Sequence, residues 1–227
     1  MKNKFLQGLV ASFALTVSGI ANAGLIIPEG IQTSINESTV KNTWGWTECF
    51  SGNSRSWHMA SSALSSCDGD LLMMATRLTG SDTFSILAAA SFDIVTMNTS
   101  LLQNAASTNI ENGVSWYSNA SSWGFADIGT LINQTSADVN WTIGKKGLSW
   151  HTNPNNNGSG VMTHFGLGYG YSIGNGFIPS HIEGEYESVL LTASSTNVST
   201  SIPEPSTLAI FLISLMGFAY RNLIKKA

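Results

Sequence analysis

Charged side chains are scarce in this chain of 227 residues, because Asp, Glu, Lys and Arg together make up only 11% of it. Basic residues are scarcest in the middle: residues 24–202 contain 5 Lys and Arg against 13 Asp and Glu, which leaves a net charge of −8. Nucleic-acid binding needs a basic surface that contacts phosphates. The sequence therefore excludes nucleic acid as a partner and does not favour binding to anionic lipid.

Metal-ligand patterns are also lacking. The four histidines are scattered singly, and none forms an H-x-H or H-E-x-x-H spacing. Two groups of carboxylates could supply oxygen ligands to Ca²⁺, but solvated surface positions explain them more simply. These groups are Asp68 with Asp70, and Glu183 with Glu185 and Glu187. We predict no metal ion and no cofactor.

The abundant residues indicate a folded, mainly β domain. Hydrophobic residues make up 43% of the chain and include seven Trp and ten Phe, enough to offset the chain entropy that folding removes. The polar residues are mostly Ser, Thr, Asn and Gly, which suit strands and turns. We predict an antiparallel β-sandwich-like domain with a few short helices.

Strand-like runs alternate with turn signals such as Asn112-Gly113. Two stretches, Ser56–Ser65 and Ser100–Ser107, have the mixed spacing of apolar residues that short helices use. The predicted strands are Phe84–Ala90, Phe92–Met97, Gly113–Tyr117, Ser136–Ile143, Gly147–Thr152, Val161–Leu167 and Tyr186–Thr192.

The N-terminus has the three parts of a secretory signal peptide. Lys2 and Lys4 make the start positive, an apolar stretch follows, and Ala21 and Ala23 form the small-x-small pattern that signal peptidase cleaves. We predict a signal helix over residues 1–23 and export through the Sec translocon. A retained membrane anchor is the alternative.

The C-terminus combines three features in order. A Ser- and Thr-rich linker, 192–202, precedes Pro203, Glu204 and Pro205, whose prolines hold the backbone extended. The apolar run that follows predicts a transmembrane helix at about 206–224, close to the roughly 30 Å that a hydrocarbon core requires. The positive-inside rule places the final basic residues in the cytoplasm. These membrane stop charges are Arg221, Lys225 and Lys226.

This combination resembles the PEP-CTERM sorting signal over residues 203–227. The resemblance implies that Pro203, Glu204 and Pro205 are recognised by exosortase, a membrane cysteine protease or transpeptidase of Gram-negative bacteria that make exopolysaccharide. It also implies transient anchoring in the inner membrane, followed by release to the cell surface or extracellular matrix. An ordinary C-terminal anchor would have the same topology without cleavage.

Cys49 and Cys67 are the only cysteines. An even count in an exported chain predicts a disulfide, which would contribute roughly 3 kcal/mol to stability. Two buried free thiols are the alternative. A zinc site would need more ligands, since only His58 lies between the two cysteines.

One catalytic pattern occurs. Residues 170–174 fit G-x-S-x-G, in which Ser172 would be the nucleophile of a secreted serine hydrolase. The pattern requires a helix directly after the serine, and then an acidic residue followed by a histidine. The residues after Ser172 do not favour a helix, and no Asp or Glu lies between Ser172 and the next histidine. We therefore predict that the protein is not an enzyme.

Tryptophans in Asn- and Ser-rich surroundings suggest contact with sugars, whose C–H faces stack on exposed indoles. Trp116 and Trp123 are the possible glycan contacts, although most of the indoles are expected to form the core. The leading hypothesis is a β-rich extracytoplasmic domain, 24–191, of a structural or adhesive envelope or matrix protein associated with exopolysaccharide. A carbohydrate-binding module is the alternative.

Overall fold

The computed structural model describes residues 24–99, 108–118, 122–130, 132–133, 138–139, 144–152, 164–174, 177–179 and 185–197. The predicted signal helix, transmembrane helix and helix Ser100–Ser107 lie outside these residues. Leu25–Val198 form one compact unit. Nowhere in the described ranges does a helix have the length and apolarity that crossing a membrane requires.

Five strands form an antiparallel sheet, called sheet I here. They are β1 (Gln32–Asn36), β2 (Thr47–Asn53), β4 (Leu71–Leu78), β5 (Thr83–Ser91) and β14 (Tyr186–Ala193). Their spatial order is β1-β5-β4-β14-β2, so the last strand in sequence lies inside the sheet. β14 is hydrogen-bonded to β4 from Tyr186↔Leu78 to Ala193↔Leu71, and to β2 on its other side.

Seven strands form a second antiparallel sheet, sheet II. They are β3 (Trp57–Met59), β6 (Asn109–Glu111), β7 (Val114–Ser118), β8 (Ser122–Asp127), β11 (Lys146–Thr152), β12 (His164–Ile173) and β13 (Phe177–Pro179). The order is β13-β12-β11-β8-β7-β6, and β3 pairs with the first half of β12. A separate two-stranded pair consists of β9 (Ile132–Asn133) and β10 (Asp138–Val139).

Short helical segments connect the strands. They are a π-helical turn (Thr39–Thr43), the helices α1 (Ala60–Ser65) and α2 (Phe92–Thr96), and a 3-10 turn (Ser195–Asn197) that follows β14. A fold that is mainly antiparallel β with a few short helices is thus confirmed.

The core occupies both faces of sheet I. Between the sheets, Leu72, Met74, Ile86 and Leu190 pack in one cluster with side chains of sheet II, which include Trp116, Trp123, Phe125, Trp150 and Phe165. On the opposite face, Met73, Leu87, Val189 and Leu191 cluster with Val40 and Trp46 from the segment around the π-helical turn. Because both of its faces are covered, β4 reads as a continuous apolar run rather than an alternating one.

Two predicted elements need correction. Phe92–Met97 is helical at Phe92–Thr96 rather than extended, and the Phe92 N–H donates to the carbonyl of Asp70 at 2.9 Å. Ser56–Ser65 is helical only from Ala60, because Trp57–Met59 adds to the edge of β12. Apolar runs of five or six residues satisfy either periodicity, so tertiary partners decide between helix and strand.

The end of the domain also lies later than predicted. The linker was predicted to begin at residue 192, but Thr192 and Ala193 are strand residues of β14, and the 3-10 turn Ser195–Asn197 follows. Only residues 198–202 therefore separate the described fold from Pro203.

Candidate functional site

Trp116 and Trp123 lie between the two sheets, with 0% of either side chain exposed. The Trp116 indole N–H donates to the carbonyl of Glu111 at 3.3 Å, and that of Trp123 donates to the carbonyl of Val95 at 2.8 Å. Trp123 also packs edge-on against Trp150, with ring centroids 5.3 Å apart. The prediction that these indoles contact a glycan is corrected, since an enclosed ring has no free face for a sugar.

Ser172 lies within β12, opposite Gly147 on β11, and is fully buried. Its hydroxyl donates to the carbonyl of Lys145 at 2.9 Å and accepts the N–H of Gly174 at 3.3 Å. A nucleophile elbow instead places its serine at an exposed turn between a strand and a helix. This geometry gives the hydrolase alternative no support. His181, which follows Ser172 in the chain, lies outside the described residues.

Cys49 and Cys67 form a disulfide, with their Cα atoms 5.1 Å apart, as predicted. Cys49 lies on β2 at the edge of sheet I, and Cys67 follows α1. The bond therefore ties the edge of sheet I to the helix that precedes β4.

An exposed tryptophan lies elsewhere, at Trp57 on β3. Its side chain is 46% exposed, and that of Met59 is 53% exposed. The two share one face of the strand because they are two residues apart. His58 between them turns inward, with its ring 5.0 Å from Phe50 and 5.8 Å from Phe165. We call the exposed residues Asn53, Arg55, Ser56, Trp57 and Met59 the edge surface.

Hydrogen bonds hold the turn that presents the edge surface. The Asn53 side-chain oxygen accepts the N–H of Arg55 at 2.8 Å, and the Asn53 carbonyl accepts the N–H of Ser56 at 3.0 Å. The N–H of Ser54 donates to the carbonyl of Tyr186 at 3.0 Å. No sequence motif distinguishes Trp57, although its polar neighbours match the pattern around Trp116 and Trp123.

A charge cluster is centred on Arg77 of β4. The Arg77 Nε is 2.7 Å from a carboxylate oxygen of Glu187, its Nη1 is 3.0 Å from Glu37 and its Nη2 is 3.5 Å from Glu48. Lys41 contacts two of the same carboxylates, Glu37 at 2.5 Å and Glu48 at 3.0 Å. The cluster thus joins residues from four separate parts of the chain.

Within the cluster, the pKa values of Glu37 and Lys41 are shifted toward the charged forms. The hydrogen bond from Lys41 is the main cause that lowers the pKa of Glu37, and Arg77 adds to it. Burial opposes the charge on Lys41, but the bonds to Glu37 and Glu48 outweigh it and raise the pKa of Lys41. These ion pairs stabilise the fold at neutral pH.

Two of the carboxylates considered for Ca²⁺ have other partners in the described structure. Asp70 accepts hydrogen bonds from Ser195, and Glu187 belongs to the charge cluster. Glu183 lies outside the described residues. Among the residues that the structure describes, no three His, Cys, Asp or Glu side chains are grouped as a metal site.

Comparison with known proteins identifies the C-terminal segment. A family model described as the PEP-CTERM protein-sorting motif matches residues 201–226. No curated protein and no solved structure matches the chain. The chain therefore carries a PEP-CTERM motif, which implies an exported, envelope-associated protein that exosortase processes.

The remaining predicted targeting residues lie outside the described residues. They are Ala21 and Ala23 at the signal peptidase site, Pro203, Glu204 and Pro205 in the sorting motif, and Arg221, Lys225 and Lys226 at the membrane stop. The family match spans the sorting motif and these three basic residues.

Proposed function

We propose that this protein is a non-enzymatic component of the cell envelope or extracellular matrix, sorted by exosortase and associated with exopolysaccharide in a structural or adhesive role. The PEP-CTERM motif at residues 201–226 carries this proposal. The disulfide between Cys49 and Cys67 supports a destination in an oxidising compartment.

Cell fractionation of the host, with and without its exosortase, tests the sorting. We expect the domain to reach the surface or matrix in the wild-type host, and the full-length chain to stay in the inner membrane without exosortase. Replacing Pro203, Glu204 and Pro205 by alanine should have the same effect as loss of the enzyme. Ser206→Ala is the matched control and should be sorted normally. Equal delivery to the surface without exosortase would contradict the proposal.

The edge surface favours carbohydrate binding as a second candidate function. An indole exposed over 46% of its surface, held by a hydrogen-bonded turn, offers a stacking platform at little cost in conformational entropy. Arg55 and Asn53 are exposed beside it in sequence and add hydrogen-bonding groups that suit sugar hydroxyls.

Co-sedimentation of the exported protein with the host's exopolysaccharide tests this candidate. We expect Trp57→Ala to weaken binding roughly tenfold, which corresponds to about 1.4 kcal/mol. Ile110→Ala is the matched control, because Ile110 is 61% exposed on β6 of the same sheet. Equal binding by both variants and the wild type would rule out the edge surface.

A serine-reactive fluorophosphonate probe should leave the wild-type protein unlabelled.

A further inference from the structure

The point at which the fold ends is held by Asp70, in the loop before β4. The N–H of Ser195 donates to one Asp70 carboxylate oxygen at 2.6 Å, and the Ser195 hydroxyl donates to the other. Thr192 is the penultimate residue of β14. Its hydroxyl donates to the carbonyl of Leu71 at 3.2 Å and accepts the N–H of Gly69 at 2.9 Å. The strand end and the turn after it are therefore attached to one loop.

The position of β14 inside sheet I strengthens this attachment. β14 lies between β4 and β2 and is hydrogen-bonded on both sides up to Ala193 and Thr192 respectively. Pulling the chain away from the domain must therefore first break the Asp70–Ser195 bonds and then a ladder on each side of β14. The bonds from Ser195 also lower the pKa of Asp70, because they favour the charged carboxylate that accepts them.

The remaining distance to the sorting motif is short. Six Cα–Cα steps separate Asn197, the end of the 3-10 turn, from Pro203, so even a fully extended chain spans only about 20 Å. A domain of the 174 residues Leu25–Val198 has a radius of gyration of about 16 Å and hence a diameter of roughly 40 Å. A protease that reads the motif must therefore work close beside the folded domain.

We propose that Asp70 is a positioning residue for exosortase processing, because it sets the length of free chain between the domain and the motif. This inference rests on the proposed sorting by exosortase. The motif must reach the active site of the membrane enzyme while the folded domain stays outside it. If the tether is too short for this, productive encounters between motif and enzyme fall steeply. Releasing Ser195 from Asp70 frees the chain back to Ala193 and so adds four residues, or roughly 13 Å, of reach.

The inference is tested by pulse-chase labelling in the host, which measures the rate at which the full-length precursor is converted to the processed protein. Deleting residues 198–200 halves the reach to about 10 Å and should slow conversion roughly tenfold. Adding Asp70→Ala to the deletion should restore conversion to within about threefold of the wild-type rate, since the freed residues replace the deleted ones. Asp68→Ala is the matched control, because it removes an exposed carboxylate from the same loop and should not restore conversion.

The outcomes separate the two proposals. Normal conversion of the shortened chain, or equal rescue by Asp70→Ala and Asp68→Ala, overturns the role of Asp70 and leaves sorting by exosortase intact. Absence of conversion in the unmodified chain overturns the sorting itself. Thermal unfolding of each variant checks that the domain remains folded, and a four-residue Gly-Ser insertion after Asn197 lengthens the tether without changing the described fold. The insertion should restore conversion in the Asp70-containing deletion variant as well.

Discussion

Arg77 carries more electrostatic contacts than any other single residue described above, yet no sequence motif marks it. Its side chain is only 11% exposed, lies 5.4 Å over the ring of Phe84 and contacts three carboxylates. A guanidinium can bond several carboxylates at once because its donors point in different directions. In a domain with few basic residues, this arrangement neutralises acidic groups that sheet I brings together.

We expect Glu37→Gln to reduce the pH dependence of stability in acid. The folded-state pKa of Glu37 is lowered, chiefly by Lys41, so its contribution is present above the usual value of 4.5 and is lost as pH falls through the folded pKa. The variant should therefore be less stable than the wild type at pH 7 and close to it near pH 3. Urea unfolding at both pH values measures this. Glu29→Gln, at an exposed position, is the control, and a constant difference at both pH values would contradict the assignment.

At the scale of single elements, β3 shows how a glycine positions a neighbour. Gly166 of β12 pairs with Trp57 and has a φ of +142°, in the region that favours glycine. A Cβ at this position would collide with the carbonyl oxygen of Ser56. The close approach of the two strands, and with it the presentation of Trp57, therefore depends on the missing side chain.

We expect Gly166→Ala to detach β3 while the rest of sheet II stays folded, because β12 keeps its pairing with β11. Amide hydrogen exchange at Trp57–Met59 should become at least tenfold faster. In the variant these amides would exchange through local opening of β3, which needs less free energy than global unfolding. The amides of β11 serve as the internal control. Unchanged exchange in β3 would show that the strand does not rely on Gly166.

The disulfide links β2, at the edge of sheet I, to the segment that follows α1. We expect the double variant Cys49→Ser with Cys67→Ser to lose roughly 3 kcal/mol of unfolding free energy, because the reduced chain regains the entropy of an open loop. The bonded residues are 18 apart in sequence. Urea unfolding of the variant, compared with the wild type with and without reductant, measures the loss. Identical midpoints in oxidised and reduced wild type would refute it.

At the scale of the whole molecule, sheet I combines strands from both ends of the domain. β14 closes the gap between β4 and β2, so the sheet is incomplete until the last strand has been exported. The pairs that β14 makes with β2 join residues more than 130 positions apart, such as Val189 and Ser51. Such non-local pairing delays folding until the chain is nearly complete.

We therefore expect a chain that ends at Gly184 to be unfolded, whereas a chain that ends at Val198 folds. Without β14, β2 loses its described partner in sheet I, and the cores on both faces lose Leu190, Val189 and Leu191. Near-ultraviolet circular dichroism, which reports the packing of the many buried indoles, distinguishes the two chains. A native spectrum from the shorter chain would contradict the topology argument.

Several features were predictable because they depend on local patterns. The predicted strands Phe84–Ala90 and Tyr186–Thr192 agree with the structure to within a residue at each end, since turn residues such as Gly80 and Gly184 precede them. β4 was missed, because a strand buried on both faces shows no alternation. Trp123 and Trp57 have similar polar neighbours in sequence, so no local pattern could tell the buried indole from the exposed one.

By itself, the sequence determined that the chain carries the sorting motif, that the domain is mainly β and that the two cysteines pair. Each of these depends on residues that act through local pattern, composition or simple count. Only the tertiary structure decided which indole is exposed, which acids surround Arg77 and where the fold ends before Pro203. Those outcomes depend on strand order and register, which bring distant residues together through contacts that no neighbouring residues encode.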